Sequence, residues 1–293
     1  MKKIHFFIAV TFAAITTVIN AQENNGVLKP QSPKFRDGVY DKEHVKARRA
    51  IPYTSLREAD VMWSKRIWRV IDLREKINHP LYYPTSPILD RKSLFDAIKD
   101  AILVNGTIIA FNNPALDDEF KLEMTKSEVE ALLIQWDSTN EVEDPNNPGV
   151  MIKAPIKTET TTDKVWKYWI KEDWFFDRQR SVLDVRIIGL CPLVEKKTET
   201  GESTGADKAL FWIYFPQARP VFAKEEVYMR HNDAERRTMD DIFWKRMFSS
   251  YIRKETNVYD RTIGEYATGL DALLESERIK GEIFNYEHDL WHY

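Results

Sequence analysis

The sequence predicts an α+β fold with N-terminal helices, a central antiparallel sheet containing a long hairpin, and C-terminal helices. Apolar residues recur with a helical period over much of residues 55–136 and again over residues 233–282. Between these stretches, residues 164–172 alternate with a period of two, and residues 182–194 and 210–215 are rich in β-branched and aromatic side chains. Helices and strands are therefore segregated along the chain, which is typical of α+β proteins.

Three helices are predicted before the sheet, at residues 55–78, 90–104 and 125–136, with a short strand at residues 107–111. The first and third begin at capping boxes, in which a Ser or Thr and an acidic residue three positions later satisfy free backbone donors reciprocally. The second starts at an Asp90 cap and stops at Asn105-Gly106.

The sheet is predicted from strands at residues 164–172, 182–194 and 210–215. A polar, turn-rich loop at residues 195–208 joins the last two strands, and Cys191 is expected to be buried within the second. Helices are predicted again, and an aromatic tail at residues 283–293 follows them. The predicted C-terminal helices are residues 233–252, 262–274 and 275–282.

The chain divides into three parts. Residues 1–21 are predicted to be a secretory signal peptide, because Lys2 and Lys3 precede an apolar run that ends at a small residue. Residues 22–53 are polar with scattered apolar positions, which predicts an extended arm. Residues 54–293 are predicted to be a single α+β domain, with a candidate subdivision near the acidic, proline-containing stretch 137–150. The arm is expected to be mobile alone and to order along a neighbour on assembly.

Composition excludes several classes of protein. The formal charge is −3, and about −5 after removal of the signal, so nucleic acid is not an expected partner. The single cysteine, Cys191, allows no intramolecular disulfide, and no cysteine follows the signal to carry a lipid. The protein is expected to be exported without direct membrane insertion. Nine tryptophans modestly favour a surface that binds another protein.

Two motifs resemble catalytic or metal-binding patterns. Gly201-Glu202-Ser203-Thr204-Gly205 matches G-x-S-x-G, but its polar flanks and the strand predicted after it favour a flexible hairpin over a nucleophile elbow. His288 and His292 are spaced i, i+4 with Asp289 beside the first, as in zinc helices. They lie at the C-terminus without a third ligand in sequence, so a tail that packs its aromatic residues on the domain is the favoured interpretation.

A third candidate is the stretch Glu172-Asp173-Trp174-Phe175-Phe176-Asp177, which offers carboxylates beside a tryptophan as glycosidases do. The favoured interpretation is a turn whose Trp174 and Phe175 fill the core while Asp173 and Asp177 face water. We therefore assign no catalytic, cofactor-binding or metal-binding residue from the sequence.

Five strings in the chain are specific enough to suggest a known family. They are residues 170–181 (IKEDWFFDRQRS), 185–192 (VRIIGLCP), 211–216 (FWIYFP), 218–220 (ARP) and 286–291 (YEHDLW). With these strings the chain resembles the GldN/PorN family of the type IX secretion and gliding-motility machinery of Bacteroidetes. The resemblance covers most of the chain after the signal, excluding the arm and the loop at 198–208.

This resemblance implies a non-enzymatic periplasmic subunit without cofactors, peripherally associated with the outer membrane. The implied partners are an outer-membrane lipoprotein of the GldK/PorK type, with which it forms a ring, further copies of itself, and the periplasmic part of a motor complex of the GldM/PorM type. The alternative class is a periplasmic hydrolase that uses the C-terminal histidines as metal ligands or the Asp173 and Asp177 carboxylates.

Overall fold

The architecture is described from a computed structural model. Every described residue falls within the compact unit His44–Tyr293. The signal peptide and residues 22–45 of the arm lie outside the described part, as do most of the proline-containing stretch near residue 145 and the last three residues. The described residues are 46–88, 91–112, 118–137, 141–143, 151–153, 156–197, 203–229, 232 and 234–290.

An eight-stranded antiparallel sheet organises the domain. Its long strands are β1 (Val61–Asp72), β8 (Val165–Asp177) and β9 (Val182–Lys197). The other strands of the sheet are β2 (Ala110–Phe111), β3 (Glu123–Met124), β10 (Ser203–Ala209), β11 (Trp212–Tyr214) and β14 (Tyr251–Glu255). The strand order is β14-β1-β8-β9-β11-β2-β3, and β10 pairs with β9. The hairpin of β8 and β9 aligns Asp177 with Val182 and Val165 with Val194.

Three small antiparallel strand pairs accompany the main sheet. These are β4 (Ile134–Asp137) with β7 (Ile156–Glu159), β5 (Glu141–Glu143) with β6 (Met151–Lys153), and β12 (Glu226–Val227) with β13 (Arg237–Thr238). Short 3₁₀ turns cover Glu58–Asp60 and Thr162–Lys164.

The described residues form seven α-helices, which confirms the α+β class. They are α1 (His79–Tyr82), α2 (Leu94–Leu103), α3 (Lys126–Leu133), α4 (Phe215–Phe222), α5 (Met239–Trp244), α6 (Ile263–Tyr266) and α7 (Leu270–Asp289). Thr125 caps α3 through the predicted capping box with Glu128. The cap of α2 is Ser93, whose Oγ accepts from the backbone N–H of Asp96, whereas Asp90 lies outside the described residues.

Helices α2 to α5 cover one face of the sheet and form the main core with Ile71, Tyr168 and Leu190. A second cluster includes Trp169, Cys191 and Trp212, so the predicted burial of Cys191 is confirmed. A third cluster joins Ile67 and Ile252 to Ile279 and Ile283 of α7. Helix α7 also provides a hydrogen-bond acceptor for the edge strand β14, since Ser276 Oγ accepts a 2.9 Å hydrogen bond from the backbone N–H of Ile252.

The predicted helix at residues 55–78 was wrong, because its central half forms strand β1. Its apolar positions fit a helical stripe, but Trp63, Ile67 and Ile71 also recur at even spacing, as strand positions do. Strand β1 pairs with β8 along almost its whole length and with β14 on its other side. Two neighbouring strands outweigh a local helix propensity, because side-chain packing decides the conformation of a central strand.

The predicted helix at residues 233–252 was also wrong in extent. Helix α5 covers only six residues, because Thr238 and Asp241 form a capping box inside the predicted helix and start it there. Arg246 then adopts a positive φ of 52°, which ends the helical path. The remaining residues lead into the edge strand β14.

Three other boundaries are corrected. The third predicted helix stops at Leu133, and Trp136 belongs to β4. Within the predicted loops, 141–143 forms β5 and 203–209 forms β10, because each segment pairs with a neighbouring strand. The two predicted helices at residues 262–274 and 275–282 are a short α6 and a continuous α7 that extends into the expected aromatic tail.

Candidate functional site

The β8–β9 hairpin carries a buried ionic cluster centred on Glu172, which is 0% exposed. Arg246 donates to its two carboxylate oxygens at 2.9 and 3.2 Å, and the Nε1 of Trp174 donates at 3.1 Å. The Nε of Arg69 lies 3.3 Å from the same carboxylate, so two guanidinium groups share one negative charge. Burial lowers the pKa of Arg69, an effect that Glu172 opposes and Arg246 reinforces.

The other two carboxylates of this stretch do not join Glu172 in a cleft. Asp173 forms a two-point ion pair with Arg66 across the strands, with oxygen–nitrogen distances of 2.6 and 2.8 Å. Asp177 accepts from the backbone N–H of Gln179 at 2.9 Å and from the Nε of Arg180 at 2.7 Å. The hydrogen bond from Arg180 is the main reason that the pKa of Asp177 is lowered. The three carboxylates of this stretch therefore pair with different arginines and do not form a common site.

The predicted environments are partly confirmed. Phe175 is buried as expected, whereas Trp174 is partly buried and packs against the third core cluster, so its predicted core-filling role is confirmed only in part. Asp173 is partly exposed, but Asp177 is buried at the start of the β8–β9 turn, so its predicted solvation was wrong. The turn needs Asp177 as a local acceptor for backbone and side-chain donors.

Lys171 belongs to a second buried group on the same hairpin. Its Nζ donates to the backbone carbonyl of Asp118 at 2.8 Å and lies 3.2 Å from that residue's carboxylate. The Nζ also lies 5.8 Å from the ring centre of Trp68 and 5.5 Å from that of Phe120. Burial lowers the pKa of Lys171. Its closest contacts are therefore a carboxylate, a carbonyl and aromatic faces.

A third group lies beneath the segment that enters the domain from the arm. Arg219 of α4 makes a buried two-point ion pair with Asp240 at 2.8 and 3.1 Å. The ring of Tyr53 packs 4.3 Å from the Arg219 guanidinium and stacks on Trp244. A cavity of about 150 Å³ adjoins these side chains. Burial raises the pKa of Tyr53.

The end of the predicted arm is thus part of the domain. Besides the contacts of Tyr53, Arg48 forms a 2.5 Å ion pair with Asp241, and Thr54 accepts from Arg186 through its backbone carbonyl. The prediction of a mobile arm therefore remains only for residues 22–45, which lie outside the described part.

The two motif candidates are not assembled into sites. Ser203 begins β10 and pairs with Lys197, so a strand follows the motif where a nucleophile elbow requires a helix. His288 lies exposed in the last turn of α7, with Asp289 3.8 Å from its Nδ1, and His292 lies outside the described residues. Among the residues that the structure describes, no three His, Cys, Asp or Glu side chains are close enough to hold a metal ion.

The sequence did not predict the ion-pair partners of Glu172 and Arg219, nor the close packing of two aromatic rings at Gly189. Arg69 lies in β1, Asp240 lies in α5 and Arg246 follows α5, and no motif in the sequence connects them with β8 or α4. Gly189 of β9 is a tight position, because a Cβ there would lie 2.6 Å from the ring of Phe120 and 3.1 Å from that of Trp212. A glycine inside an otherwise apolar strand was the available signal for such an approach.

Chemically, these clusters are suited to holding strands and helices together. An acid–base catalyst needs a titratable group that reaches a substrate and has a pKa near the working pH. Glu172, Lys171 and Arg219 instead occupy internal ion pairs beneath packed aromatic rings.

A family model described as "Gliding motility associated protein GldN" matches residues 56–292, which is more than half of the chain. A search of curated proteins finds no match. Within the described part of the chain, no helix is both long and apolar enough to cross a membrane.

Proposed function

The chain belongs to the GldN family and is a component of the gliding-motility and type IX secretion machinery, and from this membership we propose that it is a non-enzymatic ring and adaptor subunit in the periplasm. The observation that carries the proposal is the family match over residues 56–292, which includes the whole sheet and its helices. The burial of the charged groups of β8 and α4 in internal ion pairs supports a structural rather than a catalytic role.

The proposed partners are an outer-membrane lipoprotein of the GldK/PorK type, further copies of this chain in a ring, and the periplasmic part of a GldM/PorM-type motor complex. In this role the subunit links motion of the inner-membrane motor to transport at the outer membrane. The predicted signal peptide and the absence of a lipid-acceptor cysteine after it support export followed by attachment through a partner.

Fractionation of cells tests this role directly. We expect the mature protein to begin near Gln22 by N-terminal sequencing, and to sediment with the outer membrane in wild-type cells. In a strain that lacks the lipoprotein partner, the protein should move to the soluble periplasmic fraction. Continued sedimentation with the outer membrane in that strain would contradict attachment through the lipoprotein.

Zinc analysis of the purified protein and a secretion assay address the alternative class, a periplasmic hydrolase. Purified protein should contain far less than one zinc ion per chain, and the double variant Asp173→Asn/Asp177→Asn should support secretion at the wild-type level if it remains folded. Stoichiometric zinc, or secretion lost while thermal stability is retained, would favour the hydrolase.

A further inference from the structure

Helix α7 has two apolar faces, of which the domain uses one. Its inner face buries Ile279 and Ile283 against the sheet. The outward face carries a second set of residues at spacing i, i+3, i+4, i+11 and i+14, here named the outer stripe. The outer stripe consists of Leu270, Leu273, Leu274, Gly281 and Phe284.

The outer stripe is exposed to an unusual degree for large apolar side chains. Leu270 is 70% exposed, Leu273 57%, Leu274 59% and Phe284 65%. Residues at this spacing form one seam along a helix, as in coiled coils. Exposed apolar side chains grouped on one face, as opposed to single scattered ones, mark interaction surfaces.

Gly281 provides a second, independent observation. It lies within α7, where glycine is less favourable than alanine, and a Cβ at this position would meet nothing within 4 Å. The packing of the chain itself therefore does not require a glycine here. A missing side chain at the centre of an apolar seam allows the backbone of a neighbouring helix to approach closely.

A groove of about 680 Å³ runs beside Gly281 and Phe284. Its apolar lining includes Ile77, Trp174 and Phe248, and Ile77 is 55% exposed. The groove is large enough to receive a bulky side chain from a partner that packs along the outer stripe, and such anchors supply most of the binding energy at interfaces.

Charge identifies the kind of partner. Helix α7 contains six carboxylates and two cations, and both cations are already paired within the helix, Arg278 with Glu275 and Glu282 and Lys280 with Glu277. Glu277 lies on the seam and Glu287 lies on the rim of the groove. The groove is also lined by Arg69 and Arg246, which pair with Glu172, and by Lys280, which pairs with Glu277. Packing α7 against α7 of a second copy would bring like charges together, and an anionic membrane surface would repel the helix.

We propose that the outer stripe docks an amphipathic helix of another protein, with Lys or Arg side chains beside its apolar residues. One basic side chain pairs with Glu287 and another with the exposed carboxylate of Glu277 in place of its contact with Lys280, and one large apolar side chain enters the groove beside Gly281. This assignment rests on the proposed function, since it supplies the adaptor with a surface for one protein partner of the machinery.

Site-specific photo-crosslinking in native cells tests the surface. A benzoylphenylalanine at Leu273 should cross-link to a different polypeptide, and mass spectrometry should place the link in a helical segment that carries at least two Lys or Arg residues. The same probe at Val258, which is 97% exposed on another loop, is the control and should not capture that segment.

Substitutions at Gly281 sharpen the test, because the space around this residue is open. Gly281→Trp blocks the close approach of a partner helix and should reduce the cross-link from Leu273 at least tenfold, whereas Gly281→Ala adds a single methyl group and should reduce it less than Gly281→Trp does. The double variant Leu273→Glu/Leu274→Glu should reduce co-purification of the same partner at least tenfold. Equal thermal unfolding of the purified variants shows that the fold is retained.

Several results would overturn the proposal. These are a cross-link to a second copy of this chain, to an acidic segment or to lipid, no cross-link at all, or no effect of Gly281→Trp. If the protein still fractionates with the outer membrane through its lipoprotein while Leu273 captures nothing, the surface assignment fails and the proposed function stands. If that fractionation also fails, the proposed function itself is contradicted.

Discussion

Replacing Glu172 by glutamine removes the negative charge that Arg69 and Arg246 share. The substitution keeps the volume of the side chain and one acceptor oxygen, so it changes charge more than packing. Because Glu172 is 0% exposed, water cannot substitute for the lost carboxylate without opening the domain. The buried guanidinium of Arg69 would then have no counter-charge on this residue, and the partly exposed Arg246 would lose the same partner.

The expected cost follows from this burial. Removing one partner of a buried ion pair destabilises a protein by about 3–5 kcal/mol, because the remaining charge is left uncompensated. Folded domains are stable by roughly 5–15 kcal/mol, so the loss would be a large part of the total. For a domain of about this size, such a loss lowers the melting temperature by about 6–20 °C.

Denaturant and thermal unfolding of the purified protein, followed by circular dichroism, would measure the effect. Asp173→Asn is the matched control, because it changes the adjacent carboxylate, whose pair with Arg66 lies at the surface. Solvent screening limits that pair to about 0–1 kcal/mol. A loss below about 1 kcal/mol for Glu172→Gln, or equal losses for the two variants, would refute the view that the buried cluster holds the hairpin to its neighbours.

Three further predictions test other parts of the domain. Gly189→Ala should destabilise it by about 1–3 kcal/mol in denaturant unfolding, because the added methyl group collides with Phe120 and Trp212, and an unchanged midpoint would contradict this packing. The lowered pKa of Asp177 contributes stability that is fully present above the unfolded-state value of about 3.9 and is lost as the pH falls through the folded-state value. Asp177→Asn should therefore flatten the loss of stability between about pH 5 and pH 2, and an unchanged pH profile would count against the Arg180 contact. His288→Ala with His292→Ala should change neither zinc content by elemental analysis nor the melting temperature, since metal binding at a structural site would be coupled to folding.

Elements whose conformation is set by neighbouring residues in the sequence could be predicted, and elements set by distant contacts could not. The capping box at Thr125 satisfies its donors within four residues, so the start of α3 could be predicted. The strand β1 could not, because the same apolar positions of Trp63, Ile67 and Ile71 suit both a helix and a strand. Only its pairing with β8 and β14, which are about 100 and 190 residues away in the chain, decides the outcome.

The ionic clusters show the same limit. The sequence marks Glu172, Asp173 and Asp177 as charged residues among aromatic ones, and a rule based on charge alone assigns them to solvent. The burial of Glu172 depends on arginines from distant segments, since Arg246 follows α5 and Arg69 lies in a strand that the sequence predicts as helix. By contrast, the family resemblance rests on the strings themselves and required no knowledge of these contacts.

The tryptophans illustrate how composition and structure answer different questions. An excess of tryptophan favours a binding surface, yet several of these rings pack against cations of the same domain. The pairs are Trp169 with Arg253 at 4.0 Å, Trp68 with Lys254 at 4.5 Å, Trp244 with Arg219 at 4.8 Å and Trp174 with Arg246 at 5.2 Å. A ring face that already holds a cation gains little from offering that face to a partner. The outer stripe of α7 contains no tryptophan, and its leucines and phenylalanine are 57–70% exposed, so the docking surface is better identified by exposure and helical spacing than by composition.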